Sequence, residues 1–208
     1  MDRAGAVIEH VATDMSPAYT SSVLENAPCA IHVYDHFHVV KMMNEALSKL
    51  RTKMYEQERK TSRKKVIMGT RWLLLRNSED ITDKRDKRKL ERALKVNEPL
   101  AKAYYLKESL RQIWMQPNKQ MAETELDCWV RQAWETGIPL ITRVANSIAG
   151  HRTAILAWYD CHFSTGKVEG INNKIKVLKR VAYGFRDDEY FKLRLFALHE
   201  QRITAFLG

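Results

Sequence analysis

From about residue 51 to residue 157 the chain carries one helical pattern after another and almost no strand signal, so the middle of its 208 residues has to bury itself as packed helices. Arg71-Trp72-Leu73-Leu74-Leu75-Arg76 reads as an apolar helical turn between cations. Asp83 to Val96 reads as a highly charged helix bearing Lys84, Arg85, Lys87, Arg88, Lys89, Arg92 and Lys95. That helix is open to two readings, a solvated face laced with local ion pairs or a contact surface for DNA. Pro99 to Trp114, Ala122 to Glu135 and Pro139 to Tyr159 complete the block, and Glu56 to Lys65 ahead of it reads as a charged linker. Trp114, Trp129, Trp134 and Trp158 are expected in the core rather than as platforms for stacked bases.

Strand signals precede the block. Ala6 to Thr13 is a β-like run ending at Asp14, Ser16-Pro17 marks a helix start, and Ala18 to Glu25 is a short helix closed by Asn26-Ala27-Pro28. Ala30 to Tyr34 is a second strand that delivers Asp35 to its carboxyl end. From His38 to Arg59 the apolar residues recur at helical spacing through Val39, Met42, Met43, Ala46, Leu47, Leu50 and Met54. Strand, helix and strand in this order predict a parallel pair with Asp14 and Asp35 on one edge, where α/β folds place their chemistry. The fold class is therefore mainly α with a small β part. Two strands make a poor sheet, so stability has to come mainly from the helices.

The segment from Ser164 to Lys176 places one acidic residue at the mouth of a basic helix. Glu169, Asn173, Lys176 and Arg180 fall on one stripe, while Ile171, Ile175, Leu178 and Ala182 occupy the opposite face and are expected against a core. A carboxylate followed by an amide and two cations suits a site that holds a divalent ion and then tracks a phosphate backbone, but it suits a capped helix with a solvated basic face as well. With 35 Lys+Arg against 25 Asp+Glu the net charge is +10, which favours polyanionic partners, nucleic acid first. No apolar run approaches the roughly 20 residues that span a bilayer, and no signal peptide opens the chain. A membrane is accordingly not expected as a partner. Cys29, Cys128 and Cys161 are too few and scattered for a zinc module or disulfide framework, and read as reduced thiols filling the core of a cytoplasmic protein.

Phosphoryl transfer to DNA needs charge stabilised on attacking and leaving oxygens, which two divalent ions about 3.5–4 Å apart provide. Mg²⁺ takes a few carboxylates with waters and phosphates, so acidic residues converging from different elements suffice. Asp14 at a strand end and Glu169 at a helix start are of the right type, although a strand-end Asp is commonly a turn or cap residue.

Three blocks of residues resemble DDE transposases of bacterial insertion sequences, in particular the ISL-three family. The first is Asp14-Met15-Ser16-Pro17-Ala18-Tyr19. The second runs from Asp35-His36-Phe37-His38-Val39-Val40-Lys41 to Asn44, Ala46 and Leu47. The third runs from Gly166 through Lys179, Arg180, Tyr183, Gly184, Phe185 and Arg186. They follow in the family's order across nearly the whole chain. Thr165 stands where the family has Asn, and His36 where it has Arg. The resemblance implies DNA cleavage and joining at two Mg²⁺ or Mn²⁺ ions, with Asp14 as the second triad Asp and Glu169 as the Glu, both catalytic and both metal ligands. It implies supporting roles for Asp35, His38 and Asn173, the first two as a D-x-x-H pair. Asp35 is open to a plain helix-capping role as well, and it is the alternative to Asp14 as main metal ligand. It implies Lys174, Lys176, Lys179, Arg180 and Arg186 as the DNA-contacting cations.

In fold terms the resemblance implies the C-terminal portion of an RNase H-like α/β catalytic domain interrupted by an all-helical insertion. Residues 1–50 would be the partial core, 51–157 the insertion and 158–208 the C-terminal helices. The family's first triad Asp lies upstream of the block matching Asp14, and few residues precede Asp14 here, so the chain is expected to be a truncated or split transposase, incompetent alone. The partners implied are transposon ends and target DNA, with homo-oligomers or mixed oligomers with a full-length transposase, in a bacterial, DNA-associated setting. The alternative is a non-catalytic DNA-binding or oligomerising remnant that modulates an intact transposase.

Overall fold

The computed structural model describes residues 7–58, 62–161, 166–182 and 187–200, with the backbone alone at 62–63, 166–169, 171–172, 196 and 198–200. Two compact units divide it, residues 1–163 and 164–208.

The first unit begins with strand β1 (His10–Thr13), helix α1 (Pro17–Asn26), strand β2 (Ile31–Tyr34) and helix α2 (His36–Gln57). The strands pair in parallel, His10 opposite Ile31 and Thr13 opposite Tyr34, as the strand, helix, strand order predicts. The strand signal from Ala6 yields only four paired residues, with the Glu9 carbonyl extending the ladder by accepting the Ile31 N–H at 2.8 Å. Pro17 supplies the fixed φ that opens α1. α2 starts two residues earlier than its apolar spacing suggests, because the Asp35 carboxylate accepts the Phe37 N–H at 2.8 Å and caps it.

The helices α3 (Ser62–Ile67), α4 (Arg71–Leu75), α5 (Lys84–Val96), α6 (Glu98–Leu110), α7 (Lys119–Glu135), α8 (Pro139–Gly150), α9 (Arg152–Leu156) and α10 (Trp158–Cys161) form the block. Its boundaries are written in side-chain caps. Asp83 accepts from Arg85 and Asp86, Asn97 from Leu100, and Asn118 from Met121, each cap stabilising by about 1 kcal/mol. Gly137, at φ +64°, takes the left-handed conformation that turns the chain from α7 into α8. Part of the expected charged linker is helical instead: α3 grows from it, and Lys64 lies 4.5 Å above the Tyr55 ring. Pro139 to Tyr159 is likewise three short helices rather than one.

One apolar core runs from Tyr34 to Leu156. α2 contributes Val39, Met43, Ala46, Leu47 and Leu50, an i, i+4, i+7 stripe on a helix that packs against α6 and α8, whose Leu100, Leu110, Ile141 and Val144 belong to the same core. Trp129 is 1% exposed and its indole N–H donates to the Leu106 carbonyl at 2.8 Å, tying α7 to α6. Trp114 and Trp158 are half-buried, but Trp134 is 48% exposed with its N–H on Asn146, so the expectation of four core tryptophans fails there. The cysteines are free thiols, Cys29 exposed and Cys128 and Cys161 half-buried, so none fills the core. Among the described residues no helix is long and apolar enough to cross a membrane.

The second unit holds α11 (Gly166–Val181) and α12 (Asp188–Glu200), the latter capped by the Asp187 carboxylate on the N–H groups of Glu189 and Tyr190.

One buried cation is a structural rivet. Lys107 of α6 is 2% exposed and donates to the carbonyls of Leu74 at 3.1 Å and Arg76 at 2.5 Å, orphaned at the end of α4, while pairing with Glu108. Burial holds its ammonium below the ordinary lysine range despite Glu108. Glu108 in turn accepts the N–H and hydroxyl of Ser78. Lys107→Ala removes the cation partner of that carboxylate and leaves two carbonyls without their donor, and urea denaturation is expected to show a loss of about 3–5 kcal/mol.

Candidate metal and nucleic-acid binding sites

Asp14 follows the last residue of β1 and Asp35 the last of β2, so the parallel register sets them side by side, and the Asp35 N–H extends the ladder to the Thr13 carbonyl at 3.3 Å. Their surroundings separate them. Asp14 Oδ1 accepts the Ser16 N–H at 2.9 Å, an Asx turn that leads into α1 and fixes the carboxylate; among the described residues Oδ2 has no hydrogen-bond partner. Asp14 borders a shallow cleft of about 260 Å³ with Met15, Ser16, His38, Lys41, Met42 and Glu45. Asp35 is 2% exposed, caps α2 and lies 3.4 Å from His36 Nδ1. The capping role that its position allowed is the one it fills. The D-x-x-H pair is joined through the backbone, His38 N–H to Asp35 carbonyl at 3.0 Å, while the His38 ring meets Phe37 edge-on and borders the Asp14 cleft.

A half-buried, oriented carboxylate with one open oxygen fits a single hard-cation ligand. Among the described residues no three His, Cys, Asp or Glu side chains gather around one point. Glu169 falls near the start of α11, and its side chain lies outside the described residues.

In α11, Asn173, Lys174, Lys176, Lys179 and Arg180 are exposed. Lys179 stands 4.7 Å above the Phe191 ring of α12, so packing within the unit holds it as a cation–π partner. The face expected against a core is only partly covered, with Ile175 and Leu178 half-buried and Ala182 exposed. Ile171's side chain and all of Arg186 lie outside the described residues.

Beneath Asp14 lies a hydrogen-bonded support that the sequence did not reveal. The Thr13 hydroxyl donates to the Asp14 carbonyl at 2.8 Å and sits 2.6 Å from His32 Nε2. A hydroxyl has one proton, and with it on the Asp14 carbonyl the His32 Nε2–H is the donor to Thr13. His32 meets Tyr34 edge-on at 4.7 Å, Tyr34 meets His151 at 5.2 Å, and the Tyr34 hydroxyl bonds Thr20 of α1. Only the alternation of a short strand hints at which residues turn inward, and pairing across two strands fixes the rest.

The family model described as a transposase of the DDE, ISL3 type matches residues 2–195. The chain belongs to this transposase family. It is 38% identical over 192 residues to "Transposase for insertion sequence element IS1001" from Bordetella parapertussis, covering 91% of this chain and 47% of that protein. It is 32% identical over 206 residues to "Transposase for insertion sequence element IS1557" from Mycobacterium tuberculosis, covering 88% of this chain and 46% of that protein. The chain thus spans about half the length of the curated relatives it matches. No solved structure matches.

In this transposase-family chain the His32 support ties fold stability to pH. Burial first, and then the nearby His151, lower the His32 pKa from its ordinary 6.5. The unfolded chain therefore binds more protons just below that value, and stability rises with pH across the window. Thermal melts should show full stability above pH 6.5 and a decline as acid carries the solution from there down through the lowered value. His32→Gln, which keeps a donor for Thr13, is expected to flatten that part of the decline.

Proposed function

We propose that the chain is part of a DDE transposase that cleaves and joins DNA ends, with Asp14 and Glu169 as two of its metal-binding carboxylates. The observation that carries this is the placement of Asp14: at the carboxyl end of a parallel strand, oriented by Ser16, bordering a cleft, and with one oxygen unengaged among the described residues. Asp14 is preferred over Asp35 because Asp35 is enclosed and already caps α2. Membership in the transposase family and the order of the matching blocks support the same role for Glu169. In this reading residues 1–50 belong to an RNase H-like core, 51–157 interrupt it between the two carboxylates, and 158–208 return to it.

Bound Mg²⁺ or Mn²⁺, two ions in a complete site, would supply charge stabilisation for the attacking and leaving oxygens. The chain's own residues do the rest. Asp14 and Glu169 serve as metal-binding carboxylates, Asp35 fixes the start of α2 beside Asp14, and His38 and Asn173 take supporting roles. Lys174, Lys176, Arg180 and Arg186 carry the phosphate backbone, with Lys179 a weaker contributor because it is occupied by Phe191. DNA ends and target are the substrates in this reading, and oligomers of this chain or with a full-length transposase are the assemblies. A second reading, a non-catalytic DNA-binding or oligomerising protein that modulates an intact transposase, draws on the exposed apolar residues Val177, Val181 and Leu193 of the second unit.

Joined to the part of a curated relative that it does not match, the chain should cleave transposon ends only with Mg²⁺ or Mn²⁺, whereas alone it should not. In the joined protein Glu169→Gln and Asp14→Asn are expected to reduce cleavage to background while duplex affinity persists. DNA binding without cleavage in the unsubstituted joined protein would favour the second reading. For the isolated chain, Lys176→Ala with Arg180→Ala should weaken duplex binding and lower the slope of log K against log salt by about 1.8, at about 0.9 per phosphate contact, with unchanged thermal stability.

A further inference from the structure

A groove of about 530 Å³ runs between α3 and α5, lined by Lys65, Arg85, Arg88, Lys89 and Arg92 around Val66. Its polarity is one-sided because of how α5 is built. Leu90, Ala93 and Leu94 take the inner face, so Arg85, Arg88, Lys89 and Arg92, spaced i, i+3, i+4 and i+7, form a single outward ridge. Every neighbouring pair along that ridge is like-charged and repels. Elsewhere in the helical block cations find carboxylates: Arg111 on Glu79, Arg152 on Glu123 and Asp127, Lys119 on Asp160. None of the five groove cations has such a partner among the described residues. Gly69, at φ +72°, ends α3 and carries no side chain where Lys89 crosses it; a Cβ there would stand 2.8 Å from the Lys89 ammonium. The lysine's charge is thereby kept at the groove.

We infer that this groove is a second contact surface for the phosphate backbone of duplex DNA, separate from the basic ridge of α11. The ridge from Arg85 to Arg92 is about 10 Å long at 1.5 Å per residue. A DNA strand rises about 3.4 Å along the duplex axis per phosphate, so a ridge of this length faces more than one phosphate rather than one isolated anion. An extended polyanion relieves the repulsion of these cations, which have no ion-pair partner among the described residues. That the polyanion is DNA rests on the transposase reading above; the polarity and length of the groove do not.

The experiment titrates the whole 208-residue chain with a fluorescent duplex of arbitrary sequence in EDTA across a salt series. Arg85→Gln, Arg88→Gln and Arg92→Gln together are expected to weaken low-salt binding at least tenfold and lower the salt slope by about 2.7, at about 0.9 per contact. The melting temperature without DNA should hold or rise, because like charges have been removed. The matching Arg→Lys triple variant should keep both affinity and slope, since a point charge serves a phosphate as well. Wild-type affinity and slope in the Gln variant, while Lys176→Ala with Arg180→Ala still weakens binding, would overturn the groove and leave the transposase reading standing. A wild-type chain that binds no duplex at low salt would overturn both. A fallen melting temperature in the Gln variant, or equal loss in the Lys variant, would assign the arginines a structural role and overturn the groove.

Discussion

The arrangement depends on the short junction at Tyr34 and Asp35, where the sheet stops and α2 begins. Asp35 continues the β ladder through its N–H and caps α2 through its carboxylate, with almost no exposure to solvent. Tyr34, beside it, opens the buried core that α2 carries across the molecule. A buried carboxylate is costly unless hydrogen-bonded, so this cap permits few alternatives for the direction in which α2 leaves the strand. The stripe from Val39 to Leu50 then lands on α6 and α8, and the two-stranded sheet gains the support that two strands lack alone.

The same junction divides the labour between the two carboxylates. Adjacent in the sheet and alike in chemistry, Asp14 and Asp35 differ because one leads into a helix by an Asx turn at the rim and the other caps a helix that plunges into the core. Asp14 keeps access to the cleft, and Asp35 spends its carboxylate on structure. The Thr13, His32 and Tyr34 contacts stiffen the strand end from which Asp14 projects.

Charge is sorted in a similar way. Cations that brace the helical block are paired or buried, Lys107 most completely, whereas those of α5 and α11 are largely displayed to solvent. The block is thus both a scaffold and a carrier of positive surface, in keeping with a chain whose net charge is +10.

Sequence alone determined the features that local pattern controls. Helical periodicity, Pro at helix starts and β-like runs ending in Asp sufficed for the mainly α class and the parallel pair, and three motif blocks carried the resemblance to the transposase family. It could not reach features that depend on contacts between residues far apart. The exposure of Trp134, the burial of Lys107 and the emergence of α3 from a charged run are set by which surfaces meet, and periodicity carries no record of the partner. The choice between Asp14 as an open carboxylate and Asp35 as a cap belongs there too. Both end a strand and precede a helix, and only the path of that helix, toward the rim or into the core, decides whether an oxygen remains for another ligand.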